Sequence, residues 1–131
     1  KNFLRLYNRG PLMKDLGYFT KIYLAVDAVD FRKQMKSLSV LAESHFNKPM
    51  NCERTLFVFR NKRRDAVRIL YWDQTGFAMW SKLLESEKFL WPKSRSDKKI
   101  FLFSRELKLL LQGVDLSKIK YHEEVKFSKL S

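Results

Sequence analysis

The chain has 131 residues, 45% of them hydrophobic and 15% aromatic, which excludes a disordered polymer and fits one domain with a substantial core. Twenty-seven Lys and Arg against 14 Asp and Glu give a formal net charge of +13 at pH 7. That charge opposes compaction unless a polyanion relieves it, so nucleic acid is the first candidate partner and an anionic membrane the second. Because the charge is spread along the chain and is not gathered on one amphipathic helix, we favour nucleic acid.

The cellular compartment is predicted from the apolar runs and the single cysteine. No apolar run approaches the roughly 20 residues of a membrane span, and no secretory signal is recognisable. Cys52 has no internal partner for a disulfide, which agrees with a reducing compartment. Neither His45 nor His122 stands in a diagnostic motif with it, which favours an inert thiol. We expect a cytoplasmic protein that does not bind membranes.

The first half of the chain predicts one strand and one helix. Residues 1–19 lack clean periodicity and are predicted to be an N-terminal extension. Residues 20–26 alternate and are rich in β-formers, so they predict the first core strand. Asp30 is placed to N-cap a helix at about 31–46, whose apolar residues repeat with helical period. Residues 47–49, which end in proline, terminate that helix.

A meander of antiparallel strands is predicted next. Turn-favouring residues separate four apolar runs: 56–59, 67–72, 77–83 and 89–91. The third run fits a helix nearly as well, but short connections on both sides favour a strand. Asp73 and Gly76 predict a tight reversal, with the glycine free to adopt positive φ.

The C-terminal part predicts one more strand at 100–103 and a shorter helix at about 104–112. Ser104 is the expected N-cap and Gly113 the stop of this helix. The fold class is therefore α+β, with an antiparallel sheet of about five strands, one principal helix and a shorter C-terminal helix. We expect a single domain at 20–116, followed by a polar tail at 117–131.

A cluster of cations surrounds the predicted first hairpin loop. Six Lys and Arg residues lie between positions 54 and 68, with Asp65 as the single acid among them. The cluster suits phosphate contact, yet basic loops also solubilise proteins and protect sheet edges. Two further cations follow Asp30 at the predicted helix start, where helices bind anions, although a cap with surface charge is the commoner arrangement. The expected nucleic-acid-binding residues are Arg32, Lys33, Arg60, Lys62, Arg63, Arg64 and Arg68.

Aromatic side chains in the predicted strands are a second candidate contact. They would stack on exposed bases or contact a protein partner, although aromatics in alternating strands more often form the core. The candidates are Tyr71, Trp72, Trp80 and Trp91, and Trp80 is the most ambiguous of them.

Catalytic signatures are weak. The sequence has no H-E-x-x-H, paired C-x-x-C or Gly-rich phosphate loop, so we expect no catalytic residue, metal or cofactor. A metal-dependent nuclease built on acids such as Asp30, Asp65 and Asp73 is the least favoured alternative. Asp73 with Lys82 fits such a site loosely, but Asp73 is better explained as a turn former.

Several motifs in fixed order resemble a known family. The strongest are the Phe-Val-Phe-Arg-Asn block at 57–61 and the Tyr-Trp-Asp block at 71–73. The matching segments are 22–25, 30–33, 56–65, 69–73, 76–77 and 89–92. Together they resemble the small accessory protein (TnpB, the second open-reading-frame product) of the IS-sixty-six family of bacterial insertion sequences. The resemblance covers roughly residues 20–116.

The resemblance implies a protein that assists transposition while a separate, larger transposase cuts and joins DNA. It carries over no catalytic residues, and the acids Asp30, Asp65 and Asp73 are motif positions of unknown role. We therefore predict a non-catalytic DNA-binding accessory protein, located in the bacterial cytoplasm at the nucleoid, with the element's DNA ends and its transposase as partners. The alternative is an adaptor that binds the transposase through an exposed aromatic patch near Trp80 or Trp91.

The sequence departs from the family pattern at three places. Phe31 replaces the usual Met, no glycine follows at 34–36, and Ser86-Glu87 replaces an Arg-Gly turn. Residues 1–12 match nothing in the family, and Met13 stands where a family member begins, so residues 1–12 are expected to be translated upstream sequence.

Overall fold

A computed structural model describes residues 16–46, 53–93 and 99–116 of the chain. After a 3-10 turn at Leu16–Tyr18, the elements are β1 (Lys21–Ala25), α1 (Met35–Phe46), β2 (Thr55–Arg60), β3 (Ala66–Asp73), β4 (Gly76–Leu83), β5 (Lys99–Leu102) and α2 (Ser104–Leu111). Five strands and two helices confirm the predicted α+β class.

The sheet is mixed, with the strand order β4-β3-β2-β1-β5. Three of its four pairings are antiparallel, as expected, and β2-β3-β4 forms the predicted meander. β1 and β2 are parallel, however, with Lys21 opposite Thr55 and Leu24 opposite Val58. The connection through α1 crosses over and returns in the same direction, and a crossover of this kind joins parallel strands.

One face of the sheet, the closed face, is covered along its length. Its strand residues include Ile22, Leu56, Ile69 and Trp80, all at most 1% exposed. The 3-10 turn, the segment 84–93 and α2 pack against them and supply this group of buried side chains: Leu16, Phe19, Phe89, Trp91, Leu107, Leu110 and Leu111. This face is the main core of the domain.

The other face, the open face, is covered only in part. Ala42 of α1 packs in a buried cluster with Tyr23, Phe57 and Phe59 near the middle of the sheet. Toward β4 the cover ends within the described chain, because Phe77 is 37% and Leu83 66% exposed. The outer part of this face therefore meets solvent.

Both helices begin differently from the prediction. α1 begins at Met35 and not at residue 31, because Asp30 accepts the Arg32 backbone N–H (2.9 Å) and forms a turn before the helix. Phe103, not Ser104, is the N-cap of α2, and its backbone N–H donates to the Glu106 carboxylate (2.8 Å). Gly113 ends α2 at φ +92°, as the sequence predicted.

The prediction of a strand at 89–91 is wrong. The backbone N–H groups of Leu84 and Phe89 donate to the carbonyls of Asp65 and Arg64 (both 2.7 Å), so the segment is tied to the β2–β3 loop and not to a strand. Phe89 and Trp91 are apolar because they fill the closed face. The indole N–H of Trp91 donates to the Ala25 carbonyl at 2.8 Å.

The β3–β4 hairpin turns where expected but with a different residue at positive φ. Gln74, at φ +55°, takes the left-handed conformation, and Gly76 already opens β4. The run 77–83 is a strand, as the short connections indicated.

Some predictions fall outside the described residues. These are the character of residues 1–15, the helix stop at 47–49, Cys52 and the tail at 117–131. Leu16 and Phe19 are 4% and 5% exposed within the core, so the packed domain reaches upstream of residue 20. No helix in the described ranges is long and apolar enough to cross a membrane.

Candidate nucleic-acid interface

The parallel pair brings two loops together at one edge of the sheet. β1 and β2 end at the same edge, so the segment 26–34 lies beside the β2–β3 loop. The Val29 N–H donates to the Arg60 carbonyl (3.0 Å), and Arg60 Nε donates to the Val26 carbonyl (3.2 Å). Arg68, opposite Phe59 near the same edge, donates to the Lys33 carbonyl at 3.3 Å.

All seven cations predicted from the sequence lie at this edge or within two residues of it, and we call them the basic edge: Arg32, Lys33, Arg60, Lys62, Arg63, Arg64 and Arg68. They come from two segments about 30 residues apart in sequence. The crossover through α1 brings these segments together in space, because it makes β1 and β2 parallel. Several positive charges at one rim of a sheet create the potential that phosphate groups require.

The turn of the β2–β3 loop is formed by backbone and amide groups and not by the side chains of Lys62 and Arg63. Asn61 donates through Nδ2 to Asp65 (2.7 Å) and accepts the Ala66 N–H through Oδ1 (3.1 Å). Arg64 adopts φ +63° and donates its N–H to the Asn61 carbonyl (3.2 Å). Because backbone and amide groups form the turn, the exposed side chains of Lys62 and Arg63 are left for solvent or a ligand.

The seven cations differ in availability. Lys33, Lys62 and Arg63 are exposed. Arg32 is also exposed, but its guanidinium pairs with the Asp30 carboxylate at 2.8 Å, which neutralises its charge locally. The Arg32 hydrogen bonds lower the pKa of Asp30 from 3.8 to about 2. Arg32 therefore contributes less positive potential to the basic edge than an unpaired arginine would.

Arg60 and Arg68 are partly buried. Desolvation lowers the pKa of both guanidinium groups, and the nearby charge of Arg64 lowers that of Arg60 further. Arginine remains charged at neutral pH regardless of such shifts, because its ordinary pKa lies so high. The Arg68 guanidinium lies over the ring of Phe31, 4.5 Å from its centroid, which orients it toward the open face.

The aromatic candidates are mostly core residues. Trp80, Trp91 and Tyr71 are 1%, 4% and 8% exposed, so these three rings offer too little accessible surface for base stacking. Trp72 is partly exposed and packs edge-to-face on Phe77, with ring centroids 5.1 Å apart. Alternation along β4 places the side chains of Phe77 and Trp80 on opposite faces of the sheet, but it does not show which of the two is exposed to solvent. Phe77 was therefore not among the residues predicted from the sequence.

The three motif acids do not converge. Asp30 pairs with Arg32, Asp65 accepts from Asn61, and Asp73 lies at the hairpin on the opposite edge of the sheet. Within 16–46, 53–93 and 99–116, no three His, Cys, Asp or Glu side chains are grouped to hold a metal ion. The convergence that a two-metal nuclease needs is not met by these residues.

Comparison with known proteins identifies the family. The profile described as "IS66 Orf2 like protein" matches residues 20–121, more than half of the chain. The chain belongs to the IS66 Orf2-like family. This is the family that the motifs resemble, and it associates the protein with bacterial insertion sequences.

Two relatives of this IS66 Orf2-like protein come from Sinorhizobium fredii (strain NBRC 101917 / NGR234). The "Uncharacterized protein y4jC" is 37% identical over 100 residues, which cover 76% of this chain and 84% of the relative. The "Uncharacterized protein y4hO" is 25% identical over 99 residues, with the same coverage of both chains. No solved structure matches significantly.

The motif blocks of this IS66 Orf2-like protein now have structural places. The Phe-Val-Phe-Arg-Asn block at 57–61 is the end of β2 with the amide that shapes the basic loop. The Tyr-Trp-Asp block at 71–73 ends β3 and supplies one buried ring, one partly exposed ring and the first hairpin residue. The two blocks thus lie at opposite edges of the sheet, one basic and one aromatic.

Proposed function

We propose that this IS66 Orf2-like protein is a non-catalytic DNA-binding accessory factor in transposition of a bacterial insertion sequence, acting at the nucleoid. The observation that supports it best is the basic edge. Lys33, Lys62 and Arg63 are exposed there, and Arg64 and Arg68 lie beside them. A rim of this kind binds phosphate with affinity that depends on salt and weakly on sequence.

The net charge of +13 supports the same partner. The side chains of Lys62 and Arg63 do not form the turn, which Asn61 and Asp65 hold. Side chains that are exposed and structurally dispensable are the ones a ligand can use. The family membership associates the protein with an insertion sequence, and this supports the DNA of that element as the ligand.

The test is binding to a labelled duplex of the element's terminal repeat, titrated across salt with and without Mg²⁺. We expect wild type to bind with a steep salt dependence and to leave the DNA intact. The double variant Lys62→Ala/Arg63→Ala should bind more weakly, and its salt slope should fall by about 2, one unit for each lost phosphate contact. Absence of wild-type binding at physiological salt argues against the proposal, and cleavage that requires Mg²⁺ would revive the nuclease.

A matched control removes the same charge elsewhere. Arg105 and Lys108 are exposed on α2, which begins after β5 at the edge opposite the basic edge. Arg105→Ala/Lys108→Ala lowers the net charge by the same two units. If this variant loses affinity as strongly as the loop variant, the interaction depends on net charge and not on the basic edge.

A second candidate function is an adaptor for the element's transposase. The exposure of Phe77 and Leu83 on the open face favours it, in place of the buried Trp80 and Trp91. Co-purification of the transposase with wild type, lost in Leu83→Glu and kept in Lys62→Ala/Arg63→Ala, would support the adaptor. Retention of the transposase by Leu83→Glu counts against it.

A further inference from the structure

The open face of β3 and β4 presents an ordered row of side chains. In the sheet register, Arg68 lies opposite Ser81, Leu70 opposite Met79, and Trp72 opposite Phe77. Leu70 is 1% exposed, so the middle of the row is accessible only at the partly buried Met79. Residues directly opposite in an antiparallel pair point to the same face. The surface therefore runs from a cation at the basic edge to two aromatic rings at the other end.

The aromatic end is held in place. The indole N–H of Trp72 donates to the Gln74 carbonyl at 3.1 Å, and its ring meets that of Phe77 at 83°. Phe77 is 37% exposed and Trp72 is partly exposed. Two rings fixed by a hydrogen bond and by each other lose little conformational entropy when a flat ligand packs on them.

The cationic end is held in the same way. Arg68 stacks on Phe31 and donates to the Lys33 carbonyl, so its guanidinium is pre-oriented beside the basic edge. Arg68 and Trp72 are four residues apart on one strand, roughly 13 Å at about 3.3 Å per residue. A single ligand of modest length contacts both ends of such a row.

We propose that the open face binds single-stranded DNA, with unpaired bases stacking on Trp72 and Phe77 and the adjoining phosphates on Arg68 and the basic edge. This inference rests on the proposed DNA-binding function and adds the form of DNA. Exposed bases offer flat π-faces and their backbone offers negative charge, which match the two ends of the row. Duplex DNA keeps its base faces inside the stack, so the aromatic end adds nothing to duplex binding.

The cation in the row argues for nucleic acid over a protein partner. Along β3 and β4 the described face presents apolar and positively charged groups together. Of the two nearest motif acids, Asp30 is paired with Arg32, and Asp73 follows Trp72 on the alternate side of the strand with Tyr71. Burial raises the pKa of Tyr71, and the nearby negative charge of Asp73 raises it further. This effect agrees with Asp73 lying on the same side of the strand as Tyr71.

Tryptophan fluorescence tests the proposal directly. Of the three tryptophans, Trp80 and Trp91 are buried, and Trp72 alone is partly exposed. Titration of the full chain with oligo(dT) at fixed salt should quench fluorescence, and Trp72→Phe should remove most of the quenching. Absence of quenching by an oligonucleotide that binds in a parallel assay overturns the proposal.

Affinity variants supply the second arm. Phe77→Ala should weaken oligo(dT) binding by about ten-fold, in line with the loss of one stacked base, and leave duplex affinity unchanged. Phe77→Tyr should restore it, whereas Phe77→Leu should not, because the leucine keeps the apolar surface without the ring. Leu83→Ala is the matched control, since Leu83 is 66% exposed on the same face and strand but has no ring.

The outcomes separate the two proposals. Duplex binding that depends on Lys62 and Arg63, with oligo(dT) affinity indifferent to Phe77, overturns the single-strand site and leaves the DNA-binding function standing. Loss of all DNA binding in wild type removes both. If Leu83→Ala weakens binding as much as Phe77→Ala, or if light scattering shows a wild-type dimer that either variant dissociates, the face is a protein interface and the proposal fails.

Discussion

The two faces of the sheet are made by the same five strands but are covered to different extents. On the closed face, where α2 and the segment 84–93 pack against the strands, Trp80 of β4 and Phe89 of that segment are at most 1% exposed. On the open face, α1 lies near the middle of the sheet and leaves Phe77 and Leu83 accessible. The closed face thus provides most of the stability, and the open face with the basic edge is available for a ligand.

The largest expected contrast is between two phenylalanines. Phe89→Ala should lower the free energy of unfolding by about 3–5 kcal/mol, because it leaves a cavity in the closed face. Phe77→Ala should lower it by less than about 1 kcal/mol, since that ring is already in contact with water. Urea denaturation of both variants measures the difference. Comparable losses would mean that the open face is part of the core.

A medium effect is expected from two indole hydrogen bonds. Trp91→Phe should cost about 1–3 kcal/mol, because the Ala25 carbonyl loses its buried donor as well as apolar contact. Trp72→Phe should cost less than about 1 kcal/mol, since water replaces the exposed bond to Gln74. Thermal and urea unfolding test this pair. A Trp72→Phe loss as large as that of Trp91→Phe would contradict the difference between the faces.

The smallest expected effect concerns the turn before α1, at the basic edge. Hydrogen bonds from Arg32 lower the Asp30 pKa from 3.8 to about 2. Because the folded pKa is the lower one, the carboxylate's contribution to stability is present above about pH 4 and is lost as the pH falls through about 2. Carboxyl-carbon NMR titration should show the low pKa and its return toward 3.8 in Arg32→Ala. An unchanged Asp30 titration in that variant would mean that Arg32 is not the cause.

Much of the fold follows from local patterns in the sequence. Alternation over 20–26 and the helical period before residue 46 predicted β1 and α1, and the turn residues at 73–76 predicted the β3–β4 hairpin. Gly113 predicted the end of α2, because only glycine adopts its positive φ at low cost. These features depend on a few neighbouring residues, and they can therefore be predicted from the sequence without knowledge of the tertiary structure.

The parallel pair was missed although its signal was present. A strand, a helix and a second strand in succession are typical of a crossover that returns parallel. The prediction of an antiparallel sheet rests on the meander of runs between 56 and 91, and that pattern does not indicate the direction in which β1 pairs. The consequence was large, since the crossover is what gathers Lys33 and Arg63 at one edge.

Local sequence patterns did not predict which individual aromatic side chains are buried. Residues 89–91 have the composition of a strand, but they form an irregular segment in which the Phe89 N–H donates to the Arg64 carbonyl and the rings of Phe89 and Trp91 fill the closed face. Trp80 and Phe77 alternate on one strand, and the choice of which is solvent-exposed depends on how far α1 extends. Such distinctions are set by packing between elements distant in sequence. The sequence predicted which cations lie in the basic edge. It did not predict which of them form ion pairs, such as Arg32 with Asp30.

The position of β1 at the junction of the sheet has a consequence for the order of folding. Its neighbours are β2, reached through the crossover, and β5, where Ile22 meets Leu102. Among the described strands, β1 comes first in the chain and β5 last, so one side of β1 stays unpaired until β5 has been made. In contrast, β2, β3 and β4 pair with close neighbours as soon as they are available. Contacts between distant residues close slowly because the intervening chain must first be brought together. We expect the hairpins of β2 to β4 to act as the template onto which β1 is recruited, and nascent chains that end before β5 to leave one edge of β1 without its strand partner.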